Sequence, residues 1–200
     1  MPMITRPKAL KLLHEYVNKK EIIFHSLACE AIMKALASHF NEKVLPIPLN
    51  ENEWGIVGLL HDLDYQKTRH LPKQHTLMLE KVIKDIVNPE MLYAMKSHNW
   101  QQNGIEPKSL MDWSISCCDE LSGFIMMCAK VHIGKNLKAM NSLFILNKFN
   151  DINFIPDANR EQIELCEWKL SIPLPQFLEI ALIAMQKIND ELGFTKNKKK

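Results

Sequence analysis

Residues 113–131 read WSISCCDELSGFIMMCAKV, and only Asp119, Glu120 and Lys130 in that stretch are charged. It is too long for a strand and contains no proline, so it is a helix, and one that is apolar on nearly every side. A helix of that kind is buried among neighbours. Outward from it, apolar residues recur at helical spacing almost throughout the chain, and the few extended-looking stretches are short and lie beside prolines. The fold class that follows is all-α, a compact helical bundle.

Helices are expected over about 5–19, 22–40, 53–62, 72–86, 89–98, 108–132, 137–147, 159–168 and 174–192. Several ends carry punctuation: Pro46 and Pro48 close the loop after the second helix, Asn88-Pro89 opens the fifth, and Gly193 follows the last. The Asn- and Asp-rich segment 147–159, with Pro156, is an irregular connection before a C-terminal helical pair. The 200 residues suit one domain over 1–194 with a C-terminal helical extension from about 137, and a basic tail over 195–200.

The formal net charge of +2 changes sign once Lys196 and Lys198 to Lys200 are set aside, so the basicity belongs to the tail. The only three arginines are scattered, which argues against nucleic acid as a partner. Five cysteines, Cys29, Cys117, Cys118, Cys128 and Cys166, lie mostly in apolar stretches without C-x-x-C spacing and are expected to be reduced core residues. No glycosylation acceptor, signal-peptide core or stretch of membrane-spanning length occurs, so the expected location is cytoplasmic, with no membrane partner.

Function is sought where polar residues break the apolar pattern. His25 shares a helix line with Cys29, Ile32 and Leu36; His75 with Leu79, Val82 and Ile86; and His98 with Met91 and Met95. His61-Asp62 ends the apolar run Trp54 to Leu60, and at a helix end both side chains can face one centre. Asp119 lies on a line with Ile115, Ser122 and Met126, and a carboxylate buried there needs Arg, Lys or a metal as partner. One inward histidine is ordinarily a satisfied core residue. Four histidines and two aspartates, all on buried stripes or at element ends, share a single explanation in a metal site.

In this order, His25-Ser-Leu, Gly58-Leu-Leu-His61-Asp62-Leu-Asp64, His75, Ser97-His98-Asn99 and Cys118-Asp119-Glu120, the chain resembles the HD-domain superfamily of metal-dependent phosphohydrolases, specifically its two-metal pattern H…HD…H…H…D. The stretches HSLACEAIMKALA (25–37), EWGIVGLLHDLDY (53–65), CDELSGFI (118–125) and NREQIELCE (159–167) extend the resemblance, to small uncharacterised HD hydrolases, over most of the chain. The resemblance implies an HD-type helical fold. It also implies one metal held by His25, His61, Asp62 and Asp119, with Asp62 bridging to a second held by His75 and His98. Oxygen and imidazole ligands suit Mn²⁺, Fe²⁺, Co²⁺, Ni²⁺ or Mg²⁺.

The implied activity is hydrolysis of a phosphate ester of a small molecule, a nucleotide included, by a metal-activated water. Asp62 and Asp64 are the implied catalytic carboxylates, Asp64 orienting or deprotonating the water. Where many relatives read H-D-x-G-K, this chain has Asp64 and Tyr65 at the last two positions, so substrate phosphate must find its cation elsewhere. Lys67, Arg69, Lys73, Lys148 and Arg160 are the candidates. Two other functions fit the same residues, a mixed-valent di-iron oxygenase of the HD type and a non-catalytic module stabilised by its metal. The C-terminal apolar face, Phe177, Leu178, Ala181, Leu182, Met185 and Ile188, packs on the core or forms a homodimer seam.

Overall fold

A computed structural model describes residues 4–43 and 47–194. Pro46 and the basic tail lie outside the described residues. Among them the chain is all helical: α1 (Arg6–Tyr16), α2 (Lys20–Asn41), α3 (Glu51–Leu60), α4 (Tyr65–Thr68), α5 (Leu77–Ile83), α6 (Pro89–Ser97), α7 (Trp100–Asn103), α8 (Leu110–Val131), a 3-10 turn (Leu137–Ala139), α9 (Ser142–Asn150), α10 (Arg160–Lys169) and α11 (Leu174–Lys187). No helix among these residues is long and apolar enough to cross a membrane.

The expected central helix is α8, which packs against α2, α6 and α10. Its start is fixed by a capping box: the Ser109 hydroxyl accepts from Asp112 N–H while the Asp112 carboxylate accepts from Ser109 N–H. Asn50 and Asn88 cap α3 and α6 in the same way, each accepting a first-turn N–H, and Pro89 stands in the first turn of α6.

Helices α3 and α2 approach each other closely at Gly58. A Cβ on Gly58 would lie 2.5 Å from the Cys29 carbonyl group and 2.7 Å from Glu30 N, so only glycine permits this contact. The consequence is positional, because the helix end carrying His61 is pressed against the turn of α2 that carries His25.

One expected helix is shorter than its pattern. Residues 72–76 form turns and only 77–83 are helical, so His75 precedes α5 instead of riding on it. The reason is the Asp64 carboxylate, which accepts from Thr76 N and Leu79 N and starts the helix after His75. Thr76 adopts a left-handed conformation at φ 74°, costly for a β-branched residue and held here by these bonds. Likewise 137–147 divides into the 3-10 turn and a helix capped by Asn141. Helices α4 and α7, one turn each, have too few residues for a periodic signal.

Phe177, Leu178, Ala181, Leu182 and Met185 of α11 are buried, and the helix packs against α2, α8 and α9. The apolar face that also suited a homodimer seam is therefore covered within the chain, and the segment after 137 is part of the same core. All five cysteines are buried and free.

Candidate metal centre

The six residues singled out from the sequence meet at one place. His25 comes from the first turns of α2, His61 and Asp62 from the turn ending α3, His75 from the turn before α5, His98 from the end of α6, and Asp119 from the middle of α8. Their side chains form two adjoining groups. In the first, His25 Nε2 is 3.1 Å from His61 Nε2 and 2.9 Å from Asp119 Oδ1, and His61 Nε2 is 3.4 Å from that same oxygen. In the second, His75 Nε2 is 3.0 Å from His98 Nε2, and the two lie 3.1 and 3.6 Å from Asp62 Oδ1. Asp62 joins the groups, since its Oδ2 is 3.5 Å from His25 Nε2.

The other ring nitrogen of each histidine decides what this convergence means. His61 Nδ1 is 2.8 Å from the Gly58 carbonyl and His98 Nδ1 is 2.6 Å from the Met95 carbonyl. A carbonyl only accepts, so each Nδ1 carries the proton. His75 Nδ1 donates to Asp64 Oδ1 at 2.8 Å. His25 Nδ1 lies 2.8 Å from Ser122 Oγ, whose own proton goes to the Asp119 carbonyl, so this hydroxyl accepts from the ring. In the neutral form all four Nε2 atoms are therefore bare lone pairs aimed at Asp62, Asp119 and one another. Pairs of acceptors 3.0–3.1 Å apart repel unless a cation lies among them. Each ion pair of Asp62 and Asp119 is with a histidine, and none is with lysine or arginine, among the described residues.

Proton affinities carry the same demand. Burial opposes a charge on His61, yet the negative groups around it, Asp62 foremost, push its pKa up to about 9. His75 rises to about 10 against burial through its bonds to Asp62 and Asp64, and His25 is also raised. Burial would raise Asp62 and Asp119, and the histidines hold both well below the usual carboxylate range. The residues thus hold a cation, as protons or as metal. The groups His25, Cys29, His61, Asp119 and His61, Asp62, His98 each bring their donor atoms within 4.8 Å of one another.

Asp64 is buried, and its carboxylate is engaged by His75, Thr76 N and Leu79 N. It fixes the ring and tautomer of His75. Ser122 does the same for His25, and neither role has a spacing signature, because both depend on which elements meet. Cys29 is one turn beyond His25, its thiol donating to Ser122 Oγ 3.4 Å away, and is part of the surroundings of the site as well as of the core.

The centre opens on a cleft of about 650 Å³ lined by Glu21, Tyr65, Asn99, Gln101, Gln102, Glu120, Gly123, Asp157, Asn159 and Gln162 among others. None of Lys67, Arg69, Lys73, Lys148 and Arg160 lines it. Arg160 donates to the carbonyls of Phe149, Asp151, Phe154 and Ile155 and lies over the rings of Phe124 and Phe149, clamping the 149–155 segment. Lys67 lies over the Tyr16 ring and Lys148 over Phe154. Arg69 and Lys73 are exposed. Glu120 is in no ion pair among the described residues; burial and the Asp119 charge raise it to about 7.

No family model, no curated protein and no solved structure matches the chain.

Proposed function

We propose that the protein is a metal-dependent phosphohydrolase acting on a phosphate ester of a small molecule. The observation that carries this reading is the locked set of four Nε2 lone pairs converging on two carboxylates at the floor of an open cleft. His25, His61, Asp62 and Asp119 would hold one divalent ion, and Asp62, His75 and His98 a second. The order of these residues along the chain, H…HD…H…H…D, is similar to that of two-metal HD phosphohydrolases and supports the same assignment. Bound divalent ions supply Lewis acidity and an activated water for attack on phosphorus.

The chain's own residues orient and exclude. Gly58, Met95, Asp64 and Ser122 engage the Nδ1 atoms and so turn each Nε2 toward the position where a metal would take the place of a proton. Asp62 faces both groups and would be the residue shared between the two ions. Asp64 acts as a positioning residue for His75. Tyr65 edges onto His75, its ring centroid 5.3 Å away, and closes one wall of the cleft. The five buried free thiols are in keeping with a reducing location such as the cytoplasm.

The test is phosphate release from p-nitrophenyl phosphate by protein stripped and reloaded with Mn²⁺, Fe²⁺, Co²⁺, Ni²⁺ or Mg²⁺ in turn. Turnover with at least one ion, abolished in His61→Ala and Asp119→Ala, is the expected result. Oxygen consumption with iron and no phosphate release would move the assignment to oxygenase chemistry.

A further inference from the structure

Among the described residues lining the cleft, one carries a hydroxyl group, Tyr65, and its place follows from the turn that ends α3. Tyr65 N–H donates to the Asp62 carbonyl at 2.9 Å, and in a turn closed by such an i to i+3 bond the two side chains lie on the same side. The ring rests edge-on against His75, with centroids 5.3 Å apart and planes at 71°, while the residue is still 39 % exposed to the cleft. Burial and then the Asp62 and Asp119 charges push its phenol up, and His25 pulls it down, so the hydroxyl faces both groups of donors at the floor. No hydrogen bond within the chain engages that hydroxyl among the described residues, whereas the Tyr93 hydroxyl donates to the Glu106 carbonyl. The side-chain amides of Asn99, Asn159 and Gln162 on the same cleft donate to oxygens of the chain itself.

We infer that Tyr65 is a substrate-binding residue whose hydroxyl donates a hydrogen bond to a phosphoryl oxygen, an inference that rests on the phosphohydrolase reading. A phosphate ester seated at the floor turns a non-bridging oxygen toward the walls, and that oxygen is a charged acceptor. A neutral O–H answers it with a hydrogen bond roughly twice as strong as one between uncharged groups, without a second buried cation. The donor is also in place before substrate arrives, because Asp62 holds the Tyr65 backbone and His75 sets its ring. The residue that walls the cleft is thereby also the one that takes hold of the phosphoryl group.

The experiment uses the full chain loaded with the best-retained metal, as wild type, Tyr65→Phe and Tyr65→Leu. It measures metal per chain, Tm, the Kd of inorganic phosphate by calorimetry, and kcat and KM for p-nitrophenyl phosphate. Tyr65→Phe removes the hydroxyl and keeps the ring on His75, so metal content and Tm are expected to stay at wild-type values while the phosphate Kd and the KM rise about tenfold. Phosphate binding by Tyr65→Phe equal to wild type overturns the inference, and a defect confined to Tyr65→Leu reduces the residue to a support for His75. Loss of metal from Tyr65→Phe, or a fall in kcat with Kd and KM unmoved, overturns it as well, as does a wild type that binds no phosphate. Weaker phosphate binding by Tyr65→Phe with no turnover by the wild type upholds the inference and removes the hydrolase reading instead.

Discussion

The Asp64 carboxylate accepts the His75 Nδ1 proton at 2.8 Å while also accepting from Thr76 N and Leu79 N, so one buried side chain both starts α5 and aims His75 Nε2 at Asp62. Asp64→Asn puts an amide where two backbone donors and an imidazole proton need acceptors. A buried N–H left unsatisfied costs about 1–3 kcal/mol. Loss of a residue that orients a ligand weakens metal binding by roughly 10–100-fold. Metal titration of Asp64→Asn is expected to show one affinity reduced by that factor with the other retained. A Kd set equal to wild type would remove this role.

Gly58→Ala addresses the α2–α3 contact. Its methyl group has backbone of Cys29 and Glu30 at 2.5–2.7 Å, so the helices must separate. Overpacking of this kind costs about 1–3 kcal/mol. Because His25 and His61 ride on the two helices, metal content is expected to fall with Tm. Gly123→Ala is the contrast: nothing lies within 4 Å of its Cβ, and alanine in a helix interior stabilises by roughly 0.5–1 kcal/mol. Gly123 lines the cleft, so Tm should rise while KM changes. Both are read by thermal melts alongside metal analysis.

The helices and the inward polar residues that converge were legible because they write themselves in local spacing: His25, His98 and Asp119 sit on apolar stripes, and His61-Asp62 ends an apolar run. His75 was legible as an inward histidine but not in its place, since the helical line through Leu79 and Val82 continues back through a turn that Asp64 enforces. Asp64 as a positioning residue, and Ser122 beneath His25, depend on contacts between distant elements. The basic residues misled for a related reason. A lysine in a polar stretch carries no sign of the direction it faces, and Arg160 proves to be a clamp for carbonyl groups.

Arg160→Ala is therefore expected to lower Tm, with about 1–3 kcal/mol lost where carbonyls lose their charged donor. Lys67→Ala, Arg69→Ala and Lys73→Ala should leave KM for p-nitrophenyl phosphate within about twofold, since none of them lines the cleft. A tenfold rise in KM for any of the three would return it to the substrate site.

The pH dependence has opposite signs with and without metal. His61 and His75 titrate at about 9 and about 10 in the folded metal-free chain, against about 6.5 when unfolded. Raised folded values mean that their protonation stabilises fully below about 6.5 and is lost as pH rises through 9 and 10. Metal must displace the same protons, so its affinity rises over that window. Melts of the stripped protein should decline from pH 6.5 to 10 while the increment from added metal grows. Calorimetry at pH 7.5 in buffers of different ionisation enthalpy should register proton release on binding.

The central claim, that six side chains from five parts of the fold make a two-metal centre, is tested most directly by elemental analysis. Protein purified without chelator, wild type and Asp62→Ala, is measured as moles of metal per chain. Close to two ions in the wild type, and loss of metal on replacing the residue that joins both groups, is the result the geometry predicts. No metal in the wild type, even after reconstitution with each candidate ion, would contradict it.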